Sequence, residues 1–90
     1  MSARRHEIFA EVLAERARQF NLPGVEYDVA NTPNDWAAIA ASYCLRSVTR
    51  MNCLSSAEEY EHDLVQAAAV IVAALEHLDQ MRDRGLFGGA

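Results

Sequence analysis

Ala67-Ala-Ala-Val-Ile-Val-Ala-Ala-Leu75 is apolar on every side of a helix. A helix with one wet side keeps polar residues along it, so this segment needs neighbours in several directions. It sits inside a longer helical pattern. Ser56 and Glu59 stand in the relation of a capping box, and Glu58, Glu59, Glu61 and Asp63 fall in the early turns, where the positive end of the macrodipole favours carboxylates. Arg82 and Arg84 suit the opposite end and Gly85 terminates it, so the spacing predicts a helix over 55–84 followed by a frayed, flexible tail over 85–90 from which Leu86 and Phe87 can dock.

Two further helices precede it. From 3 to 20 the apolar positions Phe9, Val12, Leu13, Ala17 and Phe20 recur at three- and four-residue steps, giving one stripe that is expected to face the core, with Glu7, Glu11, Glu15 and Arg18 off it. Over 34–52, Trp36, Ile39, Ala40, Tyr43, Ser47, Val48 and Met51 follow at helical spacing, with Asn34 or Asp35 as the cap. The segment between them contains Pro23-Gly24, the alternating run Val25-Glu26-Tyr27-Asp28-Val29, and Thr32-Pro33-Asn34, which predicts an extended or irregular loop. Loops this long in small domains tend to be functional, so Tyr27 is expected to cover the core or border a site.

Composition agrees. Ninety residues hold one domain, 51% of them are hydrophobic and sixteen are alanine, while glycine and proline number only four and two. This excludes collagen-like, Pro/Gly-rich disordered and disulfide-scaffold classes and leaves an all-α domain. Three helices of this length cannot surround the apolar segment, so self-association to a dimer or tetramer is expected, the alanines permitting close approach of backbones. The net charge is −5, all eight basic residues are arginines, and they are dispersed among thirteen acidic ones. Without a basic stripe, nucleic-acid backbone binding is disfavoured. Cys44 and Cys53 have no CxxC partner and read as small core residues. The N-terminus lacks the apolar core of a secretory signal and the longest apolar run is too short for a bilayer, so a cytoplasmic location away from the membrane, with reduced thiols, is expected.

Three motifs in order carry a family likeness: Glu15-Arg16-Ala17-Arg18-Gln19 ending a first helix, Asn34-Asp35-Trp36 opening a second, and Asp63-Leu-Val-Gln followed by the apolar run to Glu76 in a third. Over residues 8–80 or so the chain resembles the all-α nucleoside triphosphate pyrophosphatases, and more narrowly the short MazG-like proteins of phage and prophage genomes. The resemblance implies a helical bundle completed by oligomerisation. It also implies, for catalytic members, a Mg²⁺ held between Glu-x-x-Glu and Glu-x-x-Asp on two helices, where it serves cleavage of a nucleoside triphosphate to monophosphate and pyrophosphate. Residues three apart share a helix face, and Mg²⁺ requires several oxygen ligands.

This chain departs from that pattern. The Glu-x-x-Glu positions fall at Tyr43 and Arg46, the Glu-x-x-Asp positions at Asp63 and Gln66, and no acidic residue occurs between Trp36 and Ser56. Arg46 would take the metal's electrostatic place and is expected to pair with Asp63. The leading expectation is therefore a noncatalytic binding or regulatory protein without a cofactor, acting on a host or phage protein or through retained nucleotide binding at Trp36, Tyr43, Arg46, Arg50 and Asp63. Aromatic faces there would stack a base and arginine forks would hold phosphate. Against this stands an active Mg²⁺-dependent pyrophosphatase using Glu59 and Asp63, with Glu26 and Asp28 as further candidate ligands. The simpler reading of Glu58, Glu59, Glu61, His62 and Asp63 is a solvated helix start, of His6 and His77 a surface or interface role, and of Trp36 and Tyr43 a core role with the arginines at its ionic rim.

Overall fold

The computed structural model describes residues 3–46 and 56–88. Every regular element among them is helical: α1 (Ala3–Phe20), a 3₁₀ segment (Val25–Ala30), α2 (Pro33–Leu45), α3 (Ala57–Glu76) and α4 (Leu78–Asp83). None of these helices is long and apolar enough to cross a membrane.

The axis of the fold is α3, against which α1 and α2 both pack. Its buried positions are Gln66, Ala67, Ala69, Val70 and Ala73. Alanine here lets the neighbouring helices approach closely, at the cost of a core poor in large side chains. The central cluster joins Trp36 and Ala40 of α2, Val70 and Ala73 of α3, and Met81 of α4, with Tyr43, Ala74 and Leu86 at its edge. Among the described residues no large side chain is completely buried.

The apolar stripe of α1 does not face this core. Phe9, Leu13 and Phe20 are exposed, while the only buried residue of the helix is Glu15. Val12 of that stripe is half-buried and, with Ile8, lines a groove against Leu64 and Ala68 of α3, beside polar contacts: Arg16 Nε donates to Glu76 Oε1 at 2.6 Å, and Gln19 Nε2 donates to the backbone oxygen of Gln66 at 3.2 Å. Cys44 is likewise exposed rather than in the core, and Cys53 lies outside the described residues.

Helix ends differ from the sequence expectation for local reasons. The cap of α2 is Thr32, not Asn34 or Asp35: its side chain accepts from the Asp35 amide at 3.2 Å, the Asp35 carboxylate accepts from the Thr32 amide at 2.9 Å, and Pro33 occupies the first helical position. The end expected near residue 52 lies outside the described residues. Ser56 caps α3 as expected, accepting from the Glu59 amide at 3.1 Å. The third helix does not run unbroken to residue 84, because at His77 (φ −92°, ψ 3°) the backbone amide reaches the carbonyls of both Ala73 and Ala74, and ring Nδ1 lies 2.8 Å from Ala73 O. A competing side-chain bond of this kind weakens the regular ladder, and α4 begins one residue later. Gly85 (φ +71°) then closes α4: its amide donates to Arg82 O, that of Leu86 donates to Met81 O, and Leu86 packs on the core. These bonds form a Schellman motif.

The alternating run after Gly24 is not extended. With no partner strand among the described residues its backbone groups bond locally, and Gly24 (φ +93°) turns the chain into the 3₁₀ segment. Tyr27 is 71% exposed and covers nothing. The segment is held by α4, since Gln80 Nε2 and Arg84 Nη1 each donate to Val29 O at 2.9 Å, and Arg84 also reaches Asn31 O at 3.2 Å.

Candidate functional site

Between α1, the Gly24 turn, α2 and α3 lies a crevice of about 180 Å³, walled by Arg16, Gln19, Gly24, Asp28, Trp36 and Tyr43 among others, with Val70 and Ala73 as its floor. Each wall has a local cause. The Thr32 cap fixes the start of α2, and from there Trp36 and Tyr43, seven residues apart, share one side of the helix. Arg16 and Gln19, three apart on α1, are turned toward α3 by their bonds to Glu76 and Gln66. Gly24 brings backbone to the crevice in a conformation that costs other residues about 1–2 kcal/mol.

The indole Nε1 of Trp36 is buried and has no hydrogen-bond partner among the described residues, although the ring packs against His77 with centroids 5.2 Å apart. A buried indole N–H normally finds an acceptor, and leaving it unpaired costs about 1–3 kcal/mol. At about 180 Å³ the crevice falls below the ~300–1,000 Å³ of pockets that enclose a whole drug-sized ligand, so it suits one planar ring system and not a complete nucleotide.

A second hollow, of about 460 Å³, lies where α1 meets the start of α3 and is rimmed by Glu11, Glu15, Arg18, Glu58, Glu61 and His62. Its organised part is internal. Glu15 accepts from Arg18 Nε at 2.7 Å and Nη2 at 2.6 Å, and from Gln19 Nε2 at 3.1 Å. The Arg18 hydrogen bonds hold the Glu15 carboxyl below the usual carboxylate range against the opposing effect of burial, and Glu15 in turn raises the Arg18 guanidinium. A carboxylate already satisfied by three donors is a structural pair, poorly placed to bind a cation. Among the described residues no group of three or more His, Cys, Asp or Glu side chains could hold a metal ion.

The structure brings Trp36 and Tyr43 to one crevice and sets Arg46 beside it, with its guanidinium 4.1 Å from the Tyr43 ring centroid. Asp63 is half-buried on α3 and is not part of the crevice wall, and Glu59 is exposed in the first turn. Of the loop carboxylates, Asp28 lines the crevice and Glu26 is exposed. Arg50 lies outside the described residues.

Arg16, Gln19 and Gly24 were not among the sequence candidates. Arg16 and Gln19 belong to the Glu15-to-Gln19 motif that carries part of the family likeness, and this was the available signal; their spacing alone reads as a solvated helix face. No family model, curated protein or solved structure matches the chain.

Proposed function

We infer that this chain is a noncatalytic binding or regulatory protein of MazG-like, phage or prophage type, which keeps a place for a nucleobase and lacks the means to cleave a nucleotide. The reading is carried by one observation: Trp36 and Tyr43 wall one crevice, with the Arg46 guanidinium 4.1 Å from the Tyr43 ring centroid. A base would stack against these rings, and Arg46 would supply charge to its phosphate groups.

The residues present do not fit the magnesium that the family likeness implies. Tyr43, Arg46 and Gln66 stand where carboxylates would be needed, Arg46 brings a positive charge, and Asp63 alone supplies a carboxylate oxygen. A hard divalent ion needs more anionic oxygen than this.

Trp36 is the only tryptophan, so its fluorescence reports on the crevice directly. Titration with nucleoside mono- and triphosphates is expected to change the Trp36 emission and raise the melting temperature, because a ligand of the native state stabilises it. The same triphosphates with Mg²⁺ are expected to release no pyrophosphate. Release that disappears in Asp63→Ala would establish the pyrophosphatase reading instead. Unchanged emission and melting with every nucleotide would defeat the nucleotide reading and leave a host or phage protein as the partner.

A further inference from the structure

The polar residues that wall the crevice of Trp36 and Tyr43 present more acceptors than donors. Gln19 is fixed by two neighbours: its side-chain nitrogen donates to the Glu15 carboxylate at 3.1 Å and to the backbone oxygen of Gln66 at 3.2 Å. Both of those partners can only accept, so the amide cannot turn over, and its oxygen is the acceptor that this wall residue has left to offer. Asp28, on the 3₁₀ segment, adds a carboxylate. It lines the same crevice, is half-buried, and its carboxylate has no hydrogen bond or ion pair among the described residues. The charged donor of the wall is Arg16, whose Nε is committed to Glu76 at 2.6 Å while the guanidinium keeps the N–H groups of its terminal nitrogens.

This set of groups distinguishes the bases. A carboxylate can accept two parallel bonds, and for that it needs two N–H donors side by side on one edge of its partner. Guanine has them, at ring N1 and at its exocyclic amino group. Adenine and cytosine each place one amino group beside a ring acceptor, and uracil has a single N–H between two carbonyls, so all three would turn a lone pair toward the anionic oxygen. Guanine also carries O6 and N7, the acceptors that arginine reads most often. The other chemistry open to Asp28, a place in a cation site, lacks partners, since among the described residues no group of three or more His, Cys, Asp or Glu could hold a metal ion.

We propose that the crevice selects guanine over the other bases, with Asp28 accepting from its N1 and amino groups, Gln19 as the neighbouring acceptor and Arg16 as donor to its oxygen. This inference rests on the nucleotide reading above and adds which base is taken and which residue chooses it.

The probes are GMP, IMP, AMP, CMP and UMP, followed by Trp36 emission and by melting temperature. GMP is expected to bind roughly tenfold or more tightly than AMP, CMP or UMP, within the range of roughly 5- to 150-fold by which a bidentate contact discriminates. IMP, which lacks the amino group of guanine, should also bind more weakly than GMP. Asp28→Asn puts an amide nitrogen where one carboxylate oxygen stood. In that variant GMP should fall to the level of AMP and the gap between GMP and IMP should close, while AMP binding is retained, which damage to the fold would not allow. Should the variant unfold, the comparison of GMP with IMP in the unaltered chain still decides, because equal affinity there overturns the proposal. Equal binding of GMP and AMP, or selectivity that survives Asp28→Asn, would overturn it as well and leave the nucleotide reading standing. Binding of no nucleotide at all would remove both.

Discussion

At the scale of single residues, Trp36 and Glu15 are the two that sequence reading weighs least well. Trp36→Ala empties the centre of the cluster and is expected to cost about 3–5 kcal/mol in chemical unfolding. Trp36→Phe also removes the buried unpaired N–H, so its cost in the same measurement should stay below ~1.5 kcal/mol. Glu15 contributes through its charge. Its pKa is lowered in the folded state by Arg18, so as pH falls the unfolded chain takes up a proton first, and the contribution is fully present above the ordinary carboxylate pKa. It is lost as pH drops through the lower folded value. Stability measured from neutral pH into the acid range should therefore decline less steeply in Glu15→Gln than in the wild type; equal slopes would refute the assignment. A glutamate off the apolar stripe looks like a solvent residue in the sequence. Only the packing of α1 onto α3 reveals that it is buried and satisfied by Arg18 and Gln19.

At the scale of elements, the caps carry most of the local specification. Thr32→Ala should destabilise the protein by ~1 kcal/mol, since the Asp35 amide loses its hydroxyl acceptor while the residue-32 amide can still donate to the Asp35 carboxylate. The Thr32 amide first and its hydroxyl second hold the Asp35 carboxyl below its ordinary range, so its titration, followed by NMR, should move only part of the way upward in the same variant. The 3₁₀ segment depends on α4, and Arg84→Ala should expose residues 25–31 to faster protease cleavage, while the α1 and α3 amides keep their exchange protection. The extent of α1 and the Ser56 cap were legible because capping and apolar periodicity are local. The break at His77 was not, because it requires the ring to reach Ala73 O and pack beside Trp36. The conformation of the loop was misread because alternation signals a strand only where a second strand exists to pair with it.

At the scale of the whole molecule, the central quantity is apolar surface the chain does not cover by itself. If two copies unfold together, the melting temperature should rise with protein concentration. A concentration-independent midpoint in the wild type would count against assembly. The apolar run in α3 was visible in the sequence, as was the deficit of neighbours it implies, because both follow from composition and helical period. The sequence by itself determined that the chain is all-α, where α1 runs, that the third helix is over-apolar, and that carboxylates are missing from the positions the family likeness would need, since these depend on residue identity and short-range spacing. The tertiary structure alone decided that α1 turns Glu15, Arg16 and Gln19 inward beside Val12, that Trp36 and Tyr43 share a crevice with Arg16 and Gln19, and that Leu64, Ile71 and Leu75 remain outside, because the side of a helix that becomes buried is set by what packs against it.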